Sequence, residues 1–270
     1  MYAITRAWQP RPARLWDDVP APLLAGLGVV AGGSAALAAS GLLPPWLARA
    51  LGAGAAQGAL LATAVAWSAA RGPERPPAPM LAAALTMFGA LGAAAHPLGA
   101  VAYAATPLWL WRQRARLPGF GLRTPPPALV AAGAVLGAAL GVHLLLTASF
   151  TLGYGMRVPP APELARWVAY DAGANVLATE AFFRGALFDR AQRRWSFAVA
   201  ATVTTAASVV RYLVDPLLPR TLEVAAGAIF YLTLLGIGTC WLYWRSGSIV
   251  PGVAAGLGFF AAYRLLHVIR

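Results

Sequence analysis

The chain has 270 residues, of which 59% are hydrophobic and 11% are charged, and its mean hydropathy is +0.64. Water-soluble domains carry about a quarter charged residues, so this composition excludes an ordinary soluble protein. The formal net charge is +12 and every basic side chain is an arginine, but no zinc-finger, phosphate-loop or nucleic-acid motif accompanies that charge. We expect the arginines to mark the cytoplasmic ends of membrane helices and to contact anionic lipid, with no nucleic acid as a partner.

Apolar windows long enough to cross a bilayer recur along the whole chain. They predict an all-α, polytopic transmembrane helix bundle, because helices satisfy the backbone in lipid and no alternating barrel pattern is present. The window at 98–111 is short for a full crossing and follows directly on His96-Pro97. The predicted number of spans is therefore about eight or nine. The windows lie at about 21–43, 47–70, 78–96, 98–111, 127–151, 166–189, 196–214, 224–244 and 248–267.

Four regions follow from these windows. A basic, aromatic lead-in at 1–20 precedes an N-terminal transmembrane bundle at 21–115. A linker at 116–126, rich in Gly and Pro, then leads into a C-terminal transmembrane core at 127–270 that holds the unusual polar residues. The loop arginines favour an N-terminus on the inside, by the positive-inside rule. We therefore expect an integral membrane protein of the bacterial inner membrane.

Glycines repeat every four positions in three of the windows. Such small-xxx-small patterns let helix backbones approach closely in membranes, and we interpret them as packing surfaces rather than as functional sites. The three patterns are Gly28/Gly32, Gly54/Gly58 and Gly133/Gly137/Gly141.

Ionisable side chains inside a membrane span are costly, usually face the interior of the bundle, and are functional by default. The window at 166–189 contains Asp171, Asn175, Thr179, Glu180 and Arg184. Glu180 and Arg184 are four residues apart on a helix, so they share a face and can pair. A self-neutralising pair that locks two helices together is the structural alternative to a functional site.

The second half of the chain contains TEAFFRGAL at 179–187, SVVRYLVD at 208–215 and LYWRSGSIVPGVAAGLGFF at 242–260. In this order, the three segments resemble the core of the CPBP family, the CAAX-protease and bacteriocin-processing membrane proteases. The first motif of that family has two glutamates followed by Phe, Arg and Gly. Glu180, Phe183 and Arg184 match it, whereas Thr179 stands in the place of the first glutamate.

The second and third motifs depart from the family pattern. Arg211 stands in the aromatic slot of the second motif, and Asp215 stands in its histidine slot. In the third motif, Gly256 replaces the histidine and Phe260 replaces the asparagine. In the family, glutamates and histidines hold and activate the water that attacks a peptide bond. The resemblance therefore implies that Glu180 is the remaining member of that set.

Two carboxylates remain at the motif positions, Glu180 and Asp215, on helices that flank one turn. At about 1.5 Å rise per residue they lie at similar depth, and two adjacent carboxylates in an apolar bundle share a proton. Such a pair can activate a water as general base and acid, while Arg184 orients Glu180 or stabilises an oxyanion. An ion pair with Arg211 would instead withdraw Asp215 from this chemistry.

These considerations give the predicted site. The predicted catalytic residues are Glu180, Arg184 and Asp215, and the supporting residues are Thr179, Phe183, Arg211 and Asn175. We predict neither a cofactor nor a metal, because two carboxylates fall short of the three protein ligands that a zinc site needs.

Three functions are consistent with this site. The first is a membrane-embedded endopeptidase of the CPBP type, with altered or impaired catalysis, that cuts a peptide or a membrane-anchored protein near the bilayer face. The second is an inactive scaffold or substrate-binding subunit with the same fold. The third is a small transporter, although no inverted repeat of the kind common in transporters relates the two halves. The expected partners are the substrate, the lipid bilayer and a further membrane protein.

Overall fold

The computed structural model describes residues 15–16, 18–68, 78–213 and 221–268, with side chains up to Leu266. Within these ranges the chain is helical apart from loops and one short antiparallel pairing of β1 (Tyr154–Met156) with β2 (Leu266–Val268). Among the described residues, four helices are long and apolar enough to cross a membrane: Ala21–Ala39, Pro45–Ser68, Pro127–Leu152 and Leu222–Ser246. The predicted all-α membrane fold is confirmed.

The helices fall on the predicted windows, with ends that differ by a few residues. They are α1 (Ala21–Ala39), α2 (Pro45–Ser68), α3 (Pro79–Ala95), α4 (Ala105–Arg112), α5 (Pro127–Leu152), α6 (Ala161–Tyr170), α7 (Val176–Glu180), α8 (Asp189–Gln192), α9 (Phe197–Leu213), α10 (Leu222–Ser246) and α11 (Val250–Tyr263). Shorter 3₁₀ segments lie at Pro97–Ala104, Arg114–Arg116 and Pro118–Phe120, and π-helical segments lie at Asp171–Asn175 and Ala181–Phe188. The short window at 98–111 is divided between a 3₁₀ segment and α4.

Proline and glycine set several of the helix ends. Pro45, Pro79 and Pro127 are the first residues of α2, α3 and α5, where proline is favoured because the first turn has no use for its missing amide hydrogen. Gly153 and Gly247 follow α5 and α10 with φ of +67° and +64°. This left-handed conformation ends a helix, and glycine adopts it without steric cost.

The chain separates into two compact units. The C-terminal unit comprises Met1–Leu15, Arg123–Pro159 and Phe183–Arg270. In it, α5 lies directly against α11: a Cβ atom added to Gly133 or Gly137 would meet a backbone carbonyl oxygen of α11. The packing role predicted for Gly133/Gly137/Gly141 is therefore confirmed. Tyr231, Leu235 and Phe259 belong to the buried apolar cluster of this unit.

The N-terminal unit comprises Trp16–Leu122 and Pro160–Phe182, so it includes a segment that lies far along the sequence. Within it α2 packs against α3, and Cβ atoms added at Gly54 and Gly58 would lie 3.1 and 3.2 Å from the Cα atoms of Met87 and Ala83. The predicted packing role of Gly54/Gly58 is confirmed.

The prediction for Gly28/Gly32 is wrong. A Cβ atom added at either glycine meets no atom of the described chain within 4 Å. The reason is that α1 lies at the surface: Ser34 is the one residue of α1 that is buried. Gly28 and Gly32 therefore make no close helix contact within the described chain.

We expect the Gly137→Ala variant to be less stable, because its new methyl group would meet the carbonyl oxygen of Ala255 and push α5 away from α11. Overpacking of this kind costs about 1–3 kcal/mol in the free energy of unfolding. Gly28→Ala is the matched control, since its methyl group meets nothing and should gain up to about 1 kcal/mol of helix propensity. Thermal unfolding of both variants in detergent, followed by tryptophan fluorescence, tests this difference, and equal midpoints would contradict it.

Candidate functional site

Five of the predicted site residues lie on one deeply buried helical stretch: Asn175, Thr179, Glu180, Phe183 and Arg184. From Asp171 to Arg193, all residues except Ala172, Phe182 and Leu187 are buried. Both π-helical segments fall within this stretch, and π-helical turns are rare and frequent at functional sites. The ionisable side chains of this stretch are therefore enclosed by protein rather than presented to lipid, as expected for functional groups in a membrane.

In the N-terminal unit, three polar side chains form a ladder of hydrogen bonds. The Asn175 amide nitrogen donates to the Asp171 carboxylate at 3.0 Å, and Gln57 Nε2 donates to Asn175 Oδ1 at 3.5 Å. Gln57 lies on α2 and is only 1% exposed. The ladder thus ties α2 to the π-helical segment Asp171–Asn175 through buried polar groups, which are costly unless they are hydrogen-bonded.

Thr179 and Glu180 follow this ladder on α7. The Thr179 hydroxyl donates to the backbone carbonyl of Asn175 at 2.8 Å, so its hydrogen atom is used within its own helix. Glu180 is the last residue of α7, and its side chain is 3% exposed. Glu180 is therefore enclosed by protein, and a buried carboxylate is costly unless other groups compensate for its lost hydration.

In the C-terminal unit, Arg184 is held by hydroxyl groups. Its Nε donates to Thr239 Oγ1 on α10 at 2.7 Å, and one terminal nitrogen lies 3.5 Å from Ser208 Oγ on α9. Gly236 leaves space for this guanidinium group, because a Cβ atom added there would lie 3.2 Å from Arg184 Nη2. The side chain of Arg184 is therefore fixed by two further helices of its unit.

At the described positions of the two degenerate motifs, an aromatic cluster includes Phe260 and adjoins Arg211. The Arg211 guanidinium carbon lies 4.5 Å from the centre of the Tyr212 ring, and that ring lies 5.6 Å from the ring of Phe260. Gly256 is buried within α11, and Phe183 is buried as well. Asp215 lies outside the described residues. The described positions of the second and third motifs thus hold an arginine stacked on an aromatic ring, a buried glycine and a packed phenylalanine.

Sequence reasoning missed three residues of these polar clusters: Gln57, Ser208 and Thr239. Gln57 had a signal, because an amide in an otherwise apolar span is costly and usually has a partner inside the bundle. Ser208 and Thr239 had none, since serine and threonine are ordinary residues of membrane helices and commonly bond to their own backbone.

Metal binding requires several ligands that converge on one point. A catalytic zinc takes three protein side chains. Within the ranges that the structure describes, no three His, Cys, Asp or Glu side chains are grouped in this way. This part of the chain therefore offers no such ligand set.

A comparison with known protein families matches a segment that contains the buried Glu180 and Arg184. Residues 162–259 match the family model described as Type II CAAX prenyl endopeptidase Rce1-like. Over these residues the match confirms the resemblance to CPBP membrane proteases and supports a CAAX-protease-type membrane endopeptidase fold. It covers the first two motifs and Gly256, and it ends one residue before Phe260. No curated protein and no solved structure matches the chain.

We expect the Thr239→Val variant to lower the free energy of unfolding by about 1.5–3 kcal/mol, because it removes a hydrogen bond to a charged group. Thr204→Val is the matched control: Thr204 is equally buried, and its hydroxyl donates to its own helix at the Ala200 carbonyl. Loss of the Thr204 hydroxyl should lower the free energy of unfolding by much less than the Thr239→Val change does. Unfolding in detergent by a denaturant series measures both, and equal losses would show that Thr239 does not stabilise Arg184.

The ladder predicts energetic coupling between Gln57 and Asn175. In a double-mutant cycle with Gln57→Leu and Asn175→Leu, we expect a coupling of about 0.5–1.5 kcal/mol, the range found for polar contacts between membrane helices. A parallel cycle pairs Gln57→Leu with Thr204→Val, a change in the C-terminal unit at a hydroxyl that donates to the Ala200 carbonyl of its own helix. In that second cycle the two changes in the free energy of unfolding should add. Additive changes in the first cycle would contradict the hydrogen bond between Gln57 and Asn175.

Proposed function

We propose that this protein is a membrane-embedded endopeptidase of the CAAX-protease type, with altered catalysis, that cuts a peptide or a membrane-anchored protein near the bilayer face. The fold of the C-terminal part and its membrane character support the class. The identity of the catalytic groups is our proposal, and it rests on Glu180.

The observation that carries the proposal is the burial of Glu180 within the matched segment. A carboxylate that served only solubility would lie at a helix end in water. Glu180 instead lies in the protein interior, on a helical stretch whose other polar groups, Asp171, Asn175 and Arg184, are also buried. Natural membrane proteins keep such groups where a substrate, an ion or a proton has to be handled.

The proposed reaction is hydrolysis by an activated water. Glu180 accepts a proton from the water. At the same time the water oxygen attacks the carbonyl carbon of the scissile peptide bond, which gives a tetrahedral oxyanion. The C–N bond then breaks, and the proton held by the carboxylate passes to the leaving amine. Arg184 is proposed to stabilise the oxyanion or to orient Glu180, and Asp215 is proposed as the second carboxylate that shares a proton with Glu180.

A second function, that of a non-catalytic scaffold or substrate-binding subunit, is favoured by one observation. The asparagine slot of the third motif holds Phe260, which packs against Tyr212 and Phe259. Aromatic packing there removes hydrogen-bonding groups that the family's chemistry uses. The two functions differ in whether the remaining carboxylates suffice for hydrolysis.

We further propose that the protein resides in the bacterial inner membrane with its N-terminus inside. The arginine-rich connections are the support for this orientation, because positively charged loops are retained on the cytoplasmic side. The substrates would then be peptides or lipid-anchored proteins that present their cleavage site at a membrane face.

We expect Glu180→Gln to abolish processing of a substrate by the full chain in cells. Loss of one general acid–base group lowers the rate by about 10²–10⁴-fold. A panel of membrane-anchored proteins and prenylated peptides, co-expressed with the chain and analysed by mass spectrometry for C-terminal shortening, provides the readout. Asp215→Asn is run beside it to test the second carboxylate.

The control variant is Glu223→Gln, which makes the same chemical change at an exposed position in the first turn of α10. It should process at the native rate. Unchanged processing in both Glu180→Gln and Asp215→Asn would exclude the enzyme. A substrate that co-purifies uncleaved with the native chain would identify the scaffold instead.

A further inference from the structure

One end of the C-terminal unit brings together three segments that are far apart in sequence. The hydroxyl of Ser248, in the turn between α10 and α11, donates to the backbone carbonyl of Arg123 at 2.8 Å. The Trp244 ring, near the end of α10, lies 5.4 Å from the ring of Phe197 at the start of α9. The residues before α5, the turn between α8 and α9, and the end of α10 therefore meet at this end.

Arginines outnumber acidic residues there. Asp189 forms a buried ion pair with Arg193, and its carboxylate is also influenced by the charges of Arg190 and Arg123. Arg190 in addition donates from Nε to the backbone carbonyl of Leu15 at 3.1 Å. The arginines of this end, called the arginine surface below, are Arg123, Arg190, Arg193, Arg194 and Arg245.

The charge balance of the arginine surface is strongly positive. Among the described residues of the C-terminal unit, Asp189 is the acidic residue at this end, since Glu223 begins α10 at the opposite end. Asp189 neutralises one charge of the five. Arg123, Arg194 and Arg245 are exposed, so their guanidinium groups can reach a ligand from outside.

Exposed tryptophans accompany the arginine surface. Trp195 and Trp241 are both exposed, and the Arg245 guanidinium carbon lies 5.8 Å from the centre of the Trp241 ring. Tryptophan is enriched where membrane helices leave the hydrocarbon, because one part of its ring system is apolar and the other donates a hydrogen bond. Exposed Val199 and Val203 continue the surface along α9 as an apolar face.

We propose that the arginine surface binds the phosphate group of an anionic phospholipid, with the acyl chains against the exposed face of α9. Guanidinium groups bind phosphate oxygens in a bidentate manner, and clusters of arginines at the ends of membrane helices recognise anionic headgroups. The apolar face and the tryptophans distinguish a lipid from a soluble anion, which would need neither. This site is independent of catalysis at Glu180.

The test measures binding of phosphatidylglycerol to the full chain in detergent by native mass spectrometry, with phosphatidylcholine of the same acyl chains as reference. We expect the first phosphatidylglycerol to bind more tightly than phosphatidylcholine. Each exposed arginine contributes about fivefold to the affinity, so Arg123→Gln/Arg194→Gln/Arg245→Gln should weaken binding on the order of a hundredfold. Arg245→Gln alone should weaken it about fivefold, which keeps the test valid where the triple variant does not fold.

The control is Arg157→Gln, which removes one exposed arginine beyond β1, where its backbone N–H donates to the Leu265 carbonyl. It should bind phosphatidylglycerol like the native chain. Equal binding of the two lipids, or native affinity in both the single and the triple variant, would overturn the proposal. Displacement of bound phosphatidylglycerol by micromolar inorganic phosphate would also overturn it, and would assign the surface to a soluble anion.

Discussion

The cost of placing charge inside an apolar helix bundle constrains the rest of this structure. Asp171, Glu180, Arg184 and Asp189 follow one another along a single buried helical stretch. Removal of an ion from water costs several kcal/mol unless hydrogen bonds replace the lost hydration. Helices α2, α9 and α10 supply polar atoms to this stretch through Gln57, Ser208 and Thr239, and this need restricts which residues these helices can carry at those positions.

The two units meet this demand with different chemistry. In the N-terminal unit the amides of Asn175 and Gln57 extend from the Asp171 carboxylate, and each amide donates to the group before it. In the C-terminal unit the hydroxyls of Thr239 and Ser208 accept from Arg184. A carboxylate accepts hydrogen bonds and a guanidinium group donates them. Amide nitrogens therefore accompany Asp171, and hydroxyl oxygens accompany Arg184. The π-helical geometry of Asp171–Asn175 and Ala181–Phe188 changes the angular spacing of side chains on the helix, which helps these groups to reach neighbours on other elements.

The sequence predicts the features of this fold that depend on local pattern. Hydropathy windows locate the helices, and the repeat of Gly133 and Gly137 predicts the close contact of α5 with another helix. The same pattern at Gly28/Gly32 is misleading, because a spacing of four residues shows that a helix can approach closely and not that a partner is present. The partners of the buried polar groups are harder to predict: Gln57 lies 118 positions before Asn175, and Thr239 lies 55 positions after Arg184. Nothing in a single sequence records which apolar helix is adjacent in space.

The matched segment and its surroundings combine polar positions with purely packing ones. The first motif holds an acid and a guanidinium group, and the guanidinium group of Arg184 has hydroxyl acceptors on two other helices. Farther along, Gly256 is buried within α11, and Phe260 joins an aromatic cluster with Tyr212. Neither side chain offers a hydrogen bond, so these positions gain packing and need no polar partner. Because neither position offers an imidazole that carries protons near neutral pH, the hydrolysis that we propose depends on carboxylates.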